Sequence, residues 1–283
     1  MSRGGGVPLG GGSTLFAMTL FATVLAASTS PAISPAEPAV PPAAVAPAEP
    51  PTPAAPATPS PTVDEIVARY VAGLGGLEMI RSIRTLRERG RITAGPQREA
   101  VVTRERKRPS STRFEFTVQG VTSVFVSNGR RGWKMSPLEG DLEPQPLPDQ
   151  VVSEAAEQAD IEGPLVDWKA KGHRVELAGR ATVDDRDAYK VKVTLKSGAV
   201  RYEYLDVESY ARIRSDSTRQ VRGQAVRIET TFGDHRMTGG VLFPHLIEVA
   251  ASGRPQRTRI VVDAIEINPP LSDARFTLSG AGK

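Results

Sequence analysis

Apolar and polar side chains alternate along three consecutive runs between residues 223 and 268. A period of two gives a β-strand one apolar face and one polar face. The runs are separated by Gly233-Asp234, Gly239-Gly240 and Ser252-Gly253, which offer the positive-φ positions that tight turns need. The pattern therefore predicts consecutive antiparallel hairpins rather than strands that alternate with long helices.

The same alternation begins at Thr85 and recurs through most of the chain, with turn signals at Asn128-Gly129, residues 184–187 and Ser197-Gly198. In the first run Leu86 and Ile92 share one face and the arginines between them share the other. Residues 136–148 contain four prolines and are predicted to form a loop. Together the runs predict about ten to eleven strands.

Three segments follow the three-and-four spacing of a helix instead. Residues 63–76 (VDEIVARYVAGLGG) predict a helix that ends at a pair of glycines, and LEMIRSIR predicts a shorter one after it. Residues 150–160 predict a third helix, N-capped by Asp149 and only weakly apolar. We therefore predict a mainly β (α+β) fold, a curved antiparallel sheet forming an incomplete barrel with the helices as a lid.

The N-terminal 62 residues differ from the rest. Leu15–Ala27 is an apolar run too short for a bilayer span of about 20 residues, which favours a secretory signal peptide over residues 1–28. An uncleaved membrane anchor is the alternative. Residues 29–62 consist mostly of Pro and Ala and predict an extended, disordered linker. A single folded domain is expected over residues 63–281.

Composition removes several classes of function. The absence of Cys excludes disulfides, thiolate metal sites and a lipid-modified N-terminal cysteine, and the net charge of +4 gives no reason to expect nucleic acid. The three His show no metal-ligand spacing, and GxSxG, P-loop and GxGxxG motifs are absent, so no cofactor, metal or catalytic set is expected. The basic runs 81–91 and 104–108 suit either an anionic partner or, as we favour, a solvated convex face.

Six segments, in their order and spacing, carry a family resemblance over about 210 residues: 66–91, 163–173, 188–206 (AYKVKVTLKSGAVRYEYLD), 229–236 (ETTFGDHR), 239–248 (GGVLFPHLIE) and 265–276 (IEINPPLSDARF). The domain resembles the LolA/LolB-like superfamily, specifically its outer-membrane lipoprotein-sorting proteins. The resemblance implies a half-barrel whose apolar cavity holds acyl chains during transit of the periplasm. It also implies an arginine that latches the lid, a role we assign to none of the many arginines here. Because Cys is absent, the chain resembles the soluble carrier rather than the lipoprotein receptor.

Large apolar side chains on the candidate inner faces need a cover, since burying ten of them contributes roughly 15–30 kcal/mol. The predicted helices are too small to fill a curved sheet, which favours a cavity over the alternative of an ordinary packed core. Trp133 and Trp168 suit either a cavity rim or plain core packing. The candidate lipid-binding residues are Phe114, Phe116, Val118, Trp133, Trp168, Val191, Val193, Tyr202, Ile228, Phe232, Phe243, Ile247, Ile260 and Val262.

These expectations describe an exported, monomeric, non-enzymatic carrier of lipid or lipoprotein acyl chains in the periplasm. Its expected partners are an acylated lipoprotein or lipid, an inner-membrane donor and an outer-membrane acceptor. A lipid-sensing module that signals to a protein partner is the first alternative. An enzyme that uses the cavity is the second, although no catalytic set supports it.

Overall fold

The computed structural model describes residues 61–94, 99–221 and 224–278. The predicted signal peptide, and the linker up to residue 60, lie outside these residues. The three α-helices in the described part are α1 (Val63–Gly73), α2 (Leu77–Ser82) and α3 (Asp149–Gln158). Its strands are β1 (Thr85–Ala94), β2 (Glu99–Lys107), β3 (Ser111–Val118), β4 (Val121–Ser127), β5 (Gly132–Ser136), β6 (Asp141–Pro146), β7 (Arg174–Val183), β8 (Arg186–Thr194), β9 (Val200–Asp206), β10 (Arg212–Val221), β11 (Gln224–Thr238), β12 (Val241–Ala251) and β13 (Thr258–Ile267).

All thirteen strands of the described residues belong to one antiparallel sheet, in the order β6-β5-β4-β3-β2-β1-β13-β12-β11-β10-β9-β8-β7. Consecutive strands pair with each other except β6 and β7, and β1 pairs with β13 to join the two series. The sheet does not close, because β6 and β7 remain as its two edges. The mainly β, incomplete-barrel fold is confirmed, with thirteen strands rather than ten to eleven.

Two local predictions need correction. The segment predicted as a loop contains β6, where Pro144 and Pro146 are tolerated because an edge strand needs no donor on its free side. The predicted turn at Gly233-Asp234 is absent from the described chain, since β11 continues through it with Asp234 at φ 48°.

The helix boundaries follow local chemistry. The Thr62 side chain accepts the Glu65 amide while the Glu65 carboxylate accepts the Thr62 amide, a capping box that begins α1. At the other end Gly75 (φ 115°) approaches the β11–β12 turn so closely that a Cβ there would lie 2.0 Å from the Gly240 carbonyl oxygen. α3 begins at Asp149 itself, so the predicted Asp149 N-cap is wrong: Pro148 holds that position.

Two apolar clusters cover the concave side of the sheet. In the first, Val151 and Ala155 of α3 pack towards Phe114, Phe116 and Phe125. In the second, α1, α2 and the segment 161–168 pack on β7, β8, β9 and the start of β12. The predicted lid helices therefore lie over the concave face, with α3 over one half of the sheet and α1 and α2 over the other. None of the helices in the described residues is long and apolar enough to cross a membrane.

Candidate functional site: a cavity with an apolar floor and a charged wall

A cavity of about 250 Å³ lies on the concave face, between the sheet and the helical segments. Its apolar floor comes from the middle strands β11 and β12, whose alternation turns every second side chain inwards. The floor residues are Ile228, Phe232, Val241, Phe243, Ile247 and Val249. Ile80 and Ile83 of the α2 region and Ile161 lie across from them.

The first part of the charged wall is built around Glu88 of β1. Arg104 of β2 donates two hydrogen bonds of 2.6 Å to this carboxylate, and Arg106 donates one of 3.1 Å. Burial raises the pKa of Glu88, but the two guanidinium charges prevail and hold it at about 2. Burial also lowers the pKa of Arg106 to about 10, against the opposing attraction of Glu88. All three residues line the cavity.

The second part of the wall is built around Glu203 of β9, whose side chain is fully buried. Arg201 Nε lies 2.8 Å from Oε1, and the Ser215 hydroxyl donates to the same oxygen at 3.2 Å. Arg212 is more distant, with Nη1 3.8 Å from Oε2, and its guanidinium carbon lies 4.0 Å from the centre of the Phe232 ring. Charged and apolar parts of the lining therefore meet at Phe232.

Basic side chains tie the helical cover to the sheet. Arg108, directly after β2, donates Nε to the Ile83 carbonyl oxygen at 2.7 Å and Nη2 to that of Ile80 at 3.3 Å. The same guanidinium pairs with the buried Glu162. Arg106 Nη1 donates to the Asp160 carbonyl oxygen at 3.3 Å. Arg108 and Arg106 therefore join the end of β2 to main-chain carbonyl groups of the helical cover.

Lys171 strengthens the same junction. Its Nζ lies 2.7 Å from Asp160 Oδ2 and 3.1 Å from Glu162 Oε1, and donates to the Gly163 carbonyl oxygen at 2.9 Å. Burial raises the pKa of Asp160, against the opposing charge of Lys171. Burial also raises the pKa of Tyr70, an α1 residue that lines the cavity, against the opposing charge of Arg212. The lid therefore rests on a polar junction rather than on apolar contacts alone.

The candidate lipid-binding residues fall into four groups. Ile228, Phe232, Phe243 and Ile247 line the cavity. Phe114, Phe116, Ile260 and Val262 are buried in the cluster under α3, with Val118 packed at its side. Val191 and Val193 are buried in the second cluster, where Trp168 packs at its margin instead of lining the cavity. Trp133 and Tyr202 lie on the other face of the sheet.

The inner-face placement of Trp133 and Tyr202 is therefore corrected. Cross-strand partners lie on the same face of a sheet, and Trp133 is the partner of Val126, which is in turn the partner of Arg113. Arg113 is next to Phe114 on β3, so Trp133 lies on the face opposite to Phe114. Tyr202 pairs with Lys192, whereas Val191 and Val193 pair with Glu203 and Arg201. Within the run AVRYEYLD, Tyr202 and Tyr204 therefore point outwards, whereas Arg201 and Glu203 point inwards. Whether the inward residues bind lipid stays a prediction.

Sequence reasoning missed the charged wall. Arg104 and Arg106 belong to the run assigned to a solvated convex face, and both point into the cavity. The alternation along β2 could have shown this. Ala100 and Val102 are buried, and Arg104 and Arg106 lie on the same face of the strand because they follow at intervals of two residues. No group of three or more His, Asp or Glu within the described ranges has a geometry that holds a metal ion.

Comparison with known proteins supports the fold. The sequence matches no protein-family model and no curated protein. A DUF1329 family protein from Desulfovibrio piger is similar in structure, with a TM-score of 0.54 and 14% identity over 77% of this chain and 98% of the other. A LolA superfamily protein from Nitrosomonas europaea is similar with a TM-score of 0.51 and 13% identity over 77% of this chain and 99% of the other. The protein therefore has a LolA-like fold.

Proposed function

We propose that this protein is an exported, non-enzymatic carrier that binds acyl chains of a lipid or lipoprotein in the cavity and transfers them towards the outer membrane. One observation carries the proposal: the concave face holds an apolar-floored cavity covered by short helices. Aliphatic and aromatic side chains there replace the membrane as the environment of an acyl chain. The LolA-like fold supports this, and so do the predicted signal peptide and linker.

The lid contacts support reversible opening. The cover consists of α1, of the six-residue α2 and of α3, and its junction with the sheet includes the Arg108 and Lys171 contacts. Polar contacts of this kind each contribute only about 0.5–3 kcal/mol. A cover held by a few such bonds opens more readily than one fused into a single apolar core. This suits a protein that loads and releases its cargo.

The first test is native mass spectrometry of the full chain, exported by a bacterial host, with organic extraction of bound molecules. We expect lipid or acylated peptide to co-purify with the protein. After this bound material is removed, we expect the protein to take up a fluorescent fatty acid. A bare protein that takes up no probe would overturn the carrier proposal. Affinity for a protein partner that changes with bound lipid, without transfer to acceptor membranes, would replace it with the sensing alternative.

A matched pair of variants locates the binding. Thr230 lines the cavity, whereas its neighbour Thr231 faces the opposite side of the sheet. Thr230→Trp should fill part of the cavity and weaken probe binding at least tenfold, or about 1.4 kcal/mol. Thr231→Trp is the control and should bind as the unaltered protein does. Equal probe binding by both variants would mean that the acyl chain does not bind in this cavity.

A further inference from the structure

The charged wall of the cavity has no role in holding a purely apolar cargo. Carrying charged side chains in an apolar site costs free energy unless they are paired. Most of the wall is paired: Glu88 binds Arg104 and Arg106, and Glu162 binds Arg108 and Lys171. The pairing is looser at the other end of the wall, around Arg212.

Arg212 has an incomplete ion pair. The Ser215 hydroxyl donates to Oε1 of Glu203, and Arg201 Nε forms an ion pair with the same oxygen without a hydrogen bond. Arg212 Nη1 stands 3.8 Å from Oε2, too far for a hydrogen bond. Oε2 itself accepts no hydrogen bond from the described residues. The Arg212 side chain is 23% exposed and lies beside Gly163 of the cover, at the cavity. Its planar fork is therefore available to a further acceptor.

The surroundings of Arg212 favour an anion. Arg201 lines the same cavity and donates Nη2 to the Ser215 hydroxyl at 3.1 Å, which brings a second guanidinium and a hydroxyl to the same carboxylate. Arg106 Nε, also at the cavity, is buried without a hydrogen-bond partner. The guanidinium groups of Arg212 and Arg201 suit the oxygens of a carboxylate or a phosphate.

The apolar floor begins directly beneath this group. The Arg212 guanidinium lies over the Phe232 ring, and Phe232 adjoins Ile228, Ile247 and Val249 along the floor. A ligand with an anionic head at Arg212 would therefore lay its chain across the floor. The cavity of about 250 Å³ is below the roughly 300–1,000 Å³ of typical ligand pockets, which favours one chain over several.

We propose that the cavity selects a single-chain amphiphile with an anionic head, a carboxylate or a phosphate. The head binds Arg212 and Arg201, and the chain lies on Ile228, Phe232, Ile247 and Val249. This inference rests on the proposed function and names the class of its cargo.

The test is calorimetric titration of the full chain, freed of bound lipid, with laurate, lauryl phosphate and lauryl alcohol, which share one chain and differ in the head. Inorganic phosphate alone is a fourth probe. The variants are Arg212→Met, Arg212→Lys and the control Arg91→Met, which removes an exposed arginine paired with Asp263. Circular dichroism verifies that each variant folds.

We expect one or both anionic amphiphiles to bind at least tenfold more tightly than lauryl alcohol, and the tighter one identifies the head. Arg212→Met should weaken that binding roughly tenfold to a hundredfold, as for loss of a charged hydrogen bond, and leave lauryl alcohol unchanged. Arg212→Lys should recover part of the loss, because it restores the charge without the fork. Arg91→Met should match the unaltered protein.

Three results would overturn the inference. Equal binding of all three amphiphiles by the unaltered protein would remove the head site but leave the carrier proposal standing. Binding of none of them would remove both. Phosphate alone binding as tightly as the amphiphiles, with loss in Arg212→Met, would make this a site for a free anion. If Arg212→Met does not fold, the inference is tested by whether the unaltered protein binds laurate or lauryl phosphate more tightly than lauryl alcohol.

Discussion

The guanidinium of Arg108 lies 2.7 Å, through Nε, from the main-chain carbonyl oxygen of Ile83 at the end of α2. A helix end leaves carbonyl groups without helical partners, and a cation there is favoured by the helix dipole. The contact therefore joins the end of β2 to a helix of the cover. Arg108 also pairs with Glu162, whose side chain is only 4% exposed, so one residue fastens two parts of the cover.

Arg108→Met should loosen this cover. The variant keeps the apolar stem but removes this donor from the Ile83 carbonyl, while Glu162 keeps its ion pair with Lys171. We expect a loss of about 1–3 kcal/mol in the free energy of unfolding and faster hydrogen exchange at the α2 amides. Urea denaturation and exchange mass spectrometry measure the two effects.

The control for the cover is Arg81→Met. Arg81 also belongs to α2, but its ion pair with Asp167 is exposed and should contribute at most about 1 kcal/mol. Similar exchange rates in both variants would mean that Arg108 does not fasten α2.

Gly90 marks the junction on which the sheet depends, because β1 and β13 join its two halves. A Cβ on Gly90 would lie 2.0 Å from the Val261 carbonyl oxygen, at the point where the β1–β13 register shifts. Gly90→Ala must therefore displace backbone and should cost about 1–3 kcal/mol, measured by urea denaturation. Gly233→Ala is the control, since its nearest neighbour would be a Leu246 side-chain atom at 3.7 Å. Equal stability of the two variants would contradict the close approach.

Much of the fold was predictable because alternation in these strands is strong. Leu86 and Ile92 are buried while Arg89 and Arg91 pair on the outer side with Glu266 and Asp263, as the first run predicts. One strand, β6, was missed because it contains prolines, which end a central strand but not an edge strand. Sequence alone does not tell which kind of strand a run will form.

The site was less predictable because its charged residues are paired across strands. Arg104 follows the buried phase of Ala100 and Val102, but an inward arginine is tolerated only because Glu88 lies opposite it on β1. Tyr202 was predicted on the inner face because it is aromatic. In the structure the aromatic residues of β9 lie on the outer face, and Glu203 points inwards. Where an ion pair lies on the inner face of a strand, assigning the more hydrophobic residues to that face is wrong.

Phe232 separates the cavity from a smaller pocket on the opposite face, since it lines both. The β10–β11 pairing ends at Arg214 and Thr231, directly before this residue. Phe232→Ala should connect the two spaces, lower the free energy of unfolding by about 3 kcal/mol and speed the release of a bound chain. Stopped-flow displacement of a fluorescent fatty acid measures the release rate. Phe232→Leu is the control and should keep the barrier; release from Phe232→Ala at the unaltered rate would show that Phe232 is no barrier.

Glu88 should make the protein sensitive to acid. Burial opposes its charge, yet Arg104 and Arg106 hold its pKa at about 2, below its ordinary value of 4.5. A carboxyl whose pKa is lowered by folding stabilises the protein fully above the higher value, and this stabilisation is lost as the pH falls towards the lower one. The gap between the two pKa values corresponds to about 3 kcal/mol.

Glu88→Gln tests this dependence. At pH 7 the variant leaves two guanidinium groups on the cavity wall without their carboxylate and should be less stable by about 3–5 kcal/mol. The difference from the unaltered protein should narrow by about 3 kcal/mol between pH 5 and pH 2, because over this range Glu88 takes up a proton in the unfolded protein while it stays largely ionised in the folded one. Urea denaturation followed by tryptophan fluorescence measures it. Glu266→Gln, which removes a half-exposed partner of Arg87 and Arg89, should cost about 1 kcal/mol or less. A difference for Glu88→Gln that stays constant with pH would mean that Arg104 and Arg106 do not hold Glu88 ionised, and that the charged wall is not the buried ion-pair network described.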